Sequence, residues 1–309
     1  MDPLSDVLSL LRPCSHITAG LDAGGAWAIR FQEMGGRIKC YVVTNGECWL
    51  RVDGAGDAVR LATGDCFVLA SGRPFTLAGD LGAPAATPQE VFGDTARHGG
   101  IAIWNGGGDV FLTGSRFTVE GRHAAMVLSA LPPVIHLHAA SDRTAMRWSI
   151  ERMTEELRDA RPGATMMAEH LSHMMLLQAL RLQLTHEGDR PAGWFAGLAD
   201  PQIAMALSAV HAAPAKRWTL AAVASEAGMS RSVFAKRFRD QVGEAPIAYL
   251  TRWRMLVAGD RLTRTSDTLA QIARGLGYES ENAFNTAFKR TMGVSPRRYA
   301  KVGPATSHR

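Results

Sequence analysis

The sequence TLAAVASEAGMSRSVFAKRF (219–238) returns, with substitutions and one extra residue, as TLAQIARGLGYESENAFNTAF (268–288). Leu220, Val223 and Gly228 recur 49 residues later as Leu269, Ile272 and Gly277, and the two phenylalanines of the first copy recur 50 residues later. The extra residue lies around Glu279. Such a repeat indicates one supersecondary unit that occurs twice.

Each copy has the pattern of a helix, a tight turn and a second helix. Thr219 and Thr268 are suited to cap the first helices, because a hydroxyl oxygen satisfies backbone N–H groups that a helix leaves unpaired. Apolar residues then recur on one helical face. A glycine ends each first helix, because glycine adopts the left-handed conformation at little cost. Ser230 and Ser280 are predicted to cap the second helices. This order of parts is that of a helix-turn-helix.

The second helix of each copy is predicted to carry a polar face opposite two buried phenylalanines. At 100° per residue, Phe234 and Phe238 share one side of the helix. The opposite faces carry Ser232, Lys236 and Arg239 in the first copy, and Asn282, Thr286 and Lys289 in the second. A single polar helix face is as readily explained by exposure to solvent as by a function. Two such faces at equivalent positions of the two copies favour DNA readout. Lysine can donate to guanine, and asparagine can pair with adenine, in the major groove.

A long helix is predicted between the two copies, over Ile247–Leu262. A helix of roughly 16 to 20 residues spans about 24–30 Å, and successive major grooves on one face of DNA lie about 34 Å apart. One chain could therefore place both second helices in adjacent grooves.

Residues 201–301 resemble the DNA-binding domain of AraC/XylS-type transcription regulators. The shared motifs are Trp218-Thr219-Leu220, Gly228-Met229-Ser230, Arg252-Trp253-Arg254-Met255, Gly277-Tyr278-Glu279-Ser280 and Gly293-Val294-Ser295-Pro296. At positions where that family contacts bases, we expect base contacts from Ser232, Lys236, Asn282 and Thr286. We expect phosphate contacts from the flanking Arg231, Arg239, Lys289 and Arg290. The resemblance implies double-stranded promoter or operator DNA as a partner, with RNA polymerase and a small-molecule effector as further possible partners. A homodimer is expected from the methionine-rich helix described below.

Charge is unevenly distributed along the chain. Residues 201–309 contain 17 Lys and Arg against 7 Asp and Glu, whereas residues 1–200 contain 17 against 22. A basic C-terminal part fits a nucleic-acid partner. The absence of an 18-residue apolar run and of a basic N-terminal region argues against a membrane span and a signal peptide. We therefore expect a cytoplasmic protein with reduced cysteines.

Residues 27–138 contain many short strand-like segments separated by turn residues, which is typical of a β-sandwich or barrel. Gly64-Asp65-Cys66-Phe67-Val68-Leu69 resembles the turn motif of cupins, and the region resembles the cupin-type sensor of AraC-type regulators. Where a cupin enzyme would hold its metal, this chain has Lys39 and Tyr41, and later Phe75. We therefore expect no cofactor or metal, no enzyme activity, and an effector pocket on the side of Tyr41 and Phe75.

Two other functions stay open. One is a metal-dependent cupin enzyme fused to a DNA-binding domain, with His136 and His138 as candidate ligands on one strand. The other is a thiol-based redox sensor using Cys14, Cys40, Cys48 or Cys66. Asn45-Gly46 predicts a two-residue hairpin in which Tyr41 pairs with Leu50. Cys40 and Cys48 are then not opposite each other.

Two helices are predicted over 143–157 and 165–184. The second is rich in methionine and leucine over more than one face, so it requires a partner helix, either in the same chain or in a dimer. The predicted fold is therefore multidomain α+β. It comprises a cupin-like β-barrel sensor (1–138), a helical linker and dimerisation segment (139–190), and an all-α DNA-binding domain (191–309) with helix-turn-helix units at about 218–240 and 268–290.

Overall fold

A computed structural model of the chain describes residues 2–11, 14–32, 37–70, 72–93, 100–118, 132, 134–159, 161–185 and 193–301. These residues form two compact units. One contains the described parts of Met1–Arg12 and Gly188–Arg309, and the other contains those of Pro13–Val119 and Leu131–Glu187. The helices predicted as a linker are thus grouped with the β-strands, and the first residues of the chain are grouped with the DNA-binding part.

The sensor unit contains eleven strands in its described part, divided between two sheets rather than closed into one barrel. Their bounds are β1 Cys14–Ala23, β2 Ala28–Phe31, β3 Arg37–Asn45, β4 Glu47–Val52, β5 Val59–Ala62, β6 Cys66–Leu69, β7 Phe75–Ala78, β8 Ala85–Ala86, β9 Ile101–Trp104, β10 Val110–Thr118 and β11 Val134–Leu137. The six-stranded sheet has the order β11-β6-β3-β10-β1-β9, and the five-stranded sheet has the order β5-β4-β7-β2-β8. A short helix, α2 (Pro88–Phe92), follows β8.

The predicted hairpin at Asn45-Gly46 is wrong. Strand β3 pairs with β10 and β6, whereas β4 pairs with β5 and β7, so the two strands belong to different sheets. Gly46 has φ +78°, and a Cβ there would lie 2.0 Å from the carbonyl oxygen of Asp109. The turn therefore carries the chain from one sheet to the other. Tyr41 is paired with Gly114 and Phe67 and not with Leu50.

The two faces of β3 pack against different partners. Tyr41 and Val43 join Phe31, Phe75 and other apolar residues of both sheets in one buried core. Residues on the opposite face of the same sheet meet a helix: the hydroxyl of Ser115 lies 2.7 Å from that of Ser172. This sheet is therefore covered on both sides, which explains why β3 is buried over six of its nine residues without alternation.

Two long helices complete the sensor unit, α3 (Ala140–Asp159) and α4 (Ala164–Thr185). They pack against each other, and α4 also packs on the six-stranded sheet. Its buried face includes Leu171, Met175 and Leu180. The predicted partner helix is therefore α3 of the same chain. Met166, Met167 and Met174 remain exposed.

The second unit is all-helical in its described part. It contains α1 Pro3–Leu11, α5 Trp194–Ala199, α6 Pro201–Ala212, α7 Leu220–Glu226, α8 Arg231–Val242, α9 Pro246–Arg264, α10 Leu269–Gly275, α11 Glu281–Met292 and α12 Pro296–Lys301. Helix α1, near the N-terminus, buries Leu4, Val7 and Leu10. None of the helices in the described part of the chain has the length and apolar character needed to cross a membrane.

The two helix-turn-helix units follow the predicted signals closely. Thr219 accepts from Ala222 N–H and Thr268 forms a capping box with Gln271. Gly228 and Gly277 follow the first helices with φ +64° and +79°, each in the paired turn hydrogen bonds of a Schellman motif. Of the two serine caps, Ser280 accepts from Ala283 N–H. Ser230 occupies the cap position but makes no capping hydrogen bond, and its hydroxyl lies 3.5 Å from that of Ser232.

Candidate nucleic-acid interface

The predicted recognition helices α8 and α11 have one buried face and one exposed face. Phe234 and Phe238 are buried in the first unit, as are Phe284 and Phe288 in the second. The predicted base-contacting and phosphate-contacting side chains are all exposed: Ser232, Lys236, Asn282 and Thr286, and Arg231, Arg239, Lys289 and Arg290. The structure thus gives each helix a polar face at the same place relative to its aromatic core.

Several of these polar side chains have local partners on their own helix. Lys236 donates from Nζ to Oδ2 of Asp240 at 2.7 Å, one turn later. This hydrogen bond raises the pKa of Lys236, so the amine is firmly cationic. Thr286 donates to the backbone carbonyl of Asn282 at 3.0 Å. Lys236 must leave Asp240 to reach a base, whereas Asn282 has its side-chain amide at the start of α11.

One arginine of α8 has a structural partner instead. Arg237 donates to Asp200 at 2.7 Å and to Gln202 at 3.0 Å, at the N-terminus of α6. It therefore fixes α8 to the N-terminus of α6. The predicted phosphate contacts Arg231 and Arg239 lie on the same helix and are exposed.

The two helix-turn-helix units are joined by more than the helix between them. Arg254, in the middle of α9, donates to the carbonyls of Pro214 at 2.7 Å and Lys216 at 2.9 Å. Its guanidinium also lies 5.6 Å from the ring centre of Tyr278 in the second unit's turn. At Gly277 a Cβ would lie only 2.3 Å from the carbonyl oxygen of Ala215. Arg254 and this close approach hold the loop before the first unit against the turn of the second.

A buried polar cluster lies beneath the first unit. His211 stacks on Trp253, with ring centres 3.8 Å apart. Its Nε2 lies 2.6 Å from the hydroxyl of Tyr249, and its Nδ1 lies 3.2 Å from Asp6 of α1. Burial lowers the pKa of His211 to about 3. The ring is therefore neutral, donating from Nδ1 to Asp6 and accepting from Tyr249 at Nε2.

In the sensor unit, Tyr41 and Phe75 do meet on one side of the six-stranded sheet. Their ring centres are 6.2 Å apart, and Tyr41 stacks on Phe67 while Phe75 stacks on Phe31. The Tyr41 ring lies over Gly114, where a Cβ would come within 2.5 Å of it. These rings pack closely together in the core. The amine of Lys39 lies among them, 3.8 Å from the ring centre of Phe31.

A cavity of about 580 Å³ opens elsewhere on the sensor unit, beside α3, and neither Tyr41 nor Phe75 lines it. Val43, Phe111 and Ile150 contribute apolar surface, and Arg143 and Arg147 contribute cations. Arg143 is already paired with the buried Asp65, whose second oxygen lies 3.1 Å from Nε2 of His136. The sequence alone does not predict this cavity, because α3 and the turn after β3 are far apart in the chain.

The candidate metal ligands and thiols have other surroundings. His136 stacks near His138, with ring centres 4.7 Å apart. Within the described residues, no group of three His, Cys, Asp or Glu side chains is placed to hold a metal ion. Sγ of Cys40 lies 3.7 Å from Sγ of Cys66, and this contact and burial raise the pKa of Cys66. Burial raises the pKa of Cys48 to about 12. The side chain of Cys14 lies outside the described residues.

Comparison with known proteins identifies both parts of the chain. Residues 2–185 match the cupin family, and residues 223–301 match a helix-turn-helix domain family. A putative AraC-like transcription regulator of Streptomyces antibioticus is 43% identical over 302 residues, covering 97% of this chain and 99% of that protein. The HTH-type transcriptional regulator AlkR of Acinetobacter baylyi is 29% identical over 305 residues, covering 97% and 99%.

Among solved structures, the DNA-binding domain of AdpA in complex with a target DNA is 29% identical. It covers 33% of this chain and 92% of that chain, with a TM-score of 0.32. The full-length match to the Streptomyces protein extends over both the cupin domain and the helix-turn-helix domain. This chain therefore belongs to the AraC-like transcription regulators, with an N-terminal cupin domain and a C-terminal DNA-binding helix-turn-helix domain.

Proposed function

We propose that the chain reads two adjacent major grooves of an operator, one with α8 and one with α11. The observation that carries this proposal is the repeated arrangement of an exposed polar face opposite two buried phenylalanines. Lys236 and Ser232 would read bases in one groove, and Asn282 and Thr286 in the other. Arg231, Arg239, Lys289 and Arg290 would contact phosphates beside these faces. Phosphate contacts fix register, and base contacts supply specificity.

The first test is to select DNA fragments bound by the purified full chain and then to compare variants on the selected site and on random DNA. Lys236→Ala and Asn282→Ala should each weaken binding to the selected site by roughly tenfold to a hundredfold. Binding to random DNA should change far less. Equal losses on both DNAs would show that these side chains contact only phosphate.

Arg239→Ala provides the matched comparison on the same helix as Lys236. A phosphate contact contributes to binding through counterion release, so its loss lowers the slope of log K against log salt by about one. Arg239→Ala should therefore weaken binding to both DNAs alike and reduce this slope. An unchanged slope would remove Arg239 from the interface.

We further infer that the cupin unit is a non-catalytic sensor of a small molecule. The residues at the cupin metal positions support this, since the Lys39 ammonium and the Phe75 ring do not supply metal ligands. The effector would bind on the Tyr41 and Phe75 side of the sheet. Tyr41→Ala should change the response of DNA binding to the effector, while the DNA affinity of the full chain without effector is unaffected. Stoichiometric iron, manganese or zinc that is lost on mutating His136 and His138 would instead favour the cupin enzyme.

The redox alternative has less support. The thiolate is the reactive form of cysteine, and the raised pKa values of Cys48 and Cys66 disfavour it. These side chains pack as small apolar residues in a strand-rich core. Treatment with a mild oxidant should therefore leave DNA binding unchanged.

We propose that the protein acts in the cytoplasm as a homodimer and contacts RNA polymerase when bound to its operator. Support for the dimer comes from α4, where Met166, Met167 and Met174 are exposed by 65%, 45% and 44% although the helix is otherwise packed. Trp148 on the neighbouring α3 is 62% exposed. Large apolar side chains in such numbers on two adjacent helices are typical of a protein–protein interface. A DNA partner supports the cytoplasmic location.

A further inference from the structure

Three basic residues lie on one face of two paired strands in the sensor unit. Lys39 of β3 is the direct partner of Arg116 of β10, and Arg37 lies two residues before Lys39. Because side chains alternate along a strand, Arg37, Lys39 and Tyr41 point to the same side. That side faces the second sheet, since Tyr41 contacts Phe75 of β7. Like charges placed directly opposite each other destabilise a strand pair.

Lys39 is the most deeply placed of the three. It is only 5% exposed, and its Nζ lies 3.8 Å, 4.8 Å and 5.7 Å from the ring centres of Phe31, Phe75 and Tyr41. No carboxylate or other hydrogen-bond partner of this amine is found in the described part of the chain. Burial, together with Arg116 and Arg37, lowers the pKa of Lys39 to about 7.

Arg116 is also incompletely satisfied. The residue is half-buried, and its Nε is buried without a hydrogen-bond partner among the described residues. Burial and the nearby Arg37 lower the pKa of Arg116. A buried donor that lacks an acceptor typically costs about 1–3 kcal/mol. Among the described residues, the Lys39 amine and the Arg116 Nε therefore both lack an acceptor at the same place in the sheet.

A purely structural role does not explain this arrangement. Cation–π contacts of Lys39 with the three rings are favourable, but they are typically worth only about 0.5–2 kcal/mol. An apolar side chain of similar volume would fill the same position without the cost of burying a charge. A bound anion would offset that cost for Lys39 and Arg116 together, because it would supply a counter-charge and an acceptor, and Arg37 adds a third positive charge beside it.

We propose that Arg37, Lys39 and Arg116 form a binding site for a small anionic molecule, carrying a carboxylate or a phosphate. The guanidinium groups offer paired N–H donors to the anion, and the ammonium offers a point charge. The rings of Phe31, Phe75 and Tyr41 would contact an apolar part of the same molecule. This site names the chemical class of the effector, and only its effect on DNA binding rests on the function proposed above.

Isothermal titration of the full chain tests the site without reference to DNA. The probes are benzoate, inorganic phosphate and benzamide, the last being the neutral analogue of benzoate. We expect one site per chain for benzoate or for phosphate, and at least tenfold weaker binding of benzamide. Which of the two anions binds more tightly distinguishes a carboxylate from a phosphate ligand. Failure of both anions to bind with Kd below about 10 mM would overturn the proposal.

Three variants assign the binding to these residues. Lys39→Met and Arg116→Gln should each weaken anion binding at least tenfold. Arg51→Gln, which removes an exposed arginine from β4, should leave it unchanged. Lys39→Met should also raise the melting temperature in the absence of the anion, because it removes a buried charge. Unchanged anion binding by both Lys39→Met and Arg116→Gln would overturn the proposal.

A DNA-binding assay with the same anion separates this inference from the proposed sensor function. If the anion binds at these residues and DNA affinity does not respond, the site stands and the effector function fails. If an effector response is found that Lys39→Met and Arg116→Gln leave intact, the sensor function stands and this site is wrong.

Discussion

At the scale of single residues, the exposed faces of α8 and α11 occupy similar positions, but their side chains have different hydrogen-bond partners. Asn282 has its amide at the first turn of α11, whereas Lys236 is held by Asp240. In the proposed DNA complex, the Asp240 carboxylate would compete with DNA for the Lys236 ammonium and would repel phosphates. Asp240 would therefore weaken DNA binding by α8, and α11 has no matching Lys–Asp pair among the described hydrogen bonds.

Asp240→Asn should consequently strengthen DNA binding. Loss of an exposed i, i+4 ion pair frees Lys236, and loss of one negative charge beside the phosphates adds to the effect, so we expect about two- to fivefold tighter binding at low salt. Titration of labelled operator at low and high salt measures this change. Glu281→Gln at the start of α11 is the comparison for charge alone. If Asp240→Asn strengthens DNA binding as much in the Lys236→Ala background as in the wild-type chain, the Lys236–Asp240 pair has no role.

His211 makes a second prediction at this scale, on pH. Its pKa is about 3 in the folded chain against about 6.5 when unfolded. Between these values the unfolded state binds the extra proton, so stability falls as the pH drops below 6.5, by about 1.4 kcal/mol per pH unit well below that value. Urea unfolding at pH 7 and pH 5, with His211→Gln as the control, measures this term. An equal loss in both proteins would exclude His211 as its source.

At the scale of elements, helix types and turn positions in the DNA-binding part could be predicted because their signals are local. A threonine cap, a 3.6-residue apolar period and a glycine at φ above zero all act within one or two turns of helix. The paired contact of Gly277 with Ala215 is different, because it joins residues 62 positions apart. Neither the Arg254 contacts nor the close approach of Gly277 to Ala215 corresponds to a periodic pattern in the sequence.

The sensor strands show the same limit more strongly. Strand β1 contains polar and small residues (CSHITAGLDA) without a clean alternation, so the sequence pattern does not predict it. Asn45-Gly46 correctly predicts a tight turn but not which sheet each strand joins, since the same turn serves a hairpin or a change of sheet. Register between β3 and β10 depends on contacts across the whole domain. The basic cluster of Lys39 and Arg116 therefore emerges only from the structure.

Arg254 provides the element-scale prediction. Because it ties the loop before α7 to the turn before α11, it should fix the spacing between the two recognition helices. Inserting one base pair between the two halves of the operator rotates them by roughly 34–36° and should weaken wild-type binding at least tenfold. Arg254→Ala should bind the natural operator more weakly than the wild type does. Its affinity should fall by a smaller factor than that of the wild type when the base pair is inserted. Anisotropy titrations on both operators measure this ratio.

Arg252→Ala is the matched control for Arg254→Ala. Arg252 lies on the same helix and carries the same charge, but it pairs with Glu244 and stacks near Tyr249 within the first unit. Arg252→Ala should lose as much DNA affinity as the wild type does when one base pair is inserted into the operator. If Arg254→Ala and Arg252→Ala show the same penalty, the contacts of Arg254 do not set the spacing.

At the scale of the whole molecule, the C-terminal unit holds its own core but is not confined to the C-terminal sequence. Trp194 and Phe195 of α5 are buried, and α5 packs on α6 and α8. Helix α1, from the start of the chain, packs on α6 and α9. A fragment of residues 191–309 should therefore fold and bind DNA but be less stable than the same unit in the full chain.

The fragment should also bind an operator with two copies of the site more weakly than the full chain, by at least tenfold, because a dimer presents its second copy at high effective concentration. Met167 and Met174 lie seven residues apart on one face of α4, so Met167→Glu with Met174→Glu in the full chain should yield a monomer whose affinity falls to that of the fragment. This comparison keeps α1 in place. Sedimentation and DNA titration give both quantities. Val59→Glu, which changes an exposed apolar residue on β5, should remain dimeric. Full DNA affinity in the double variant would place the dimer interface elsewhere.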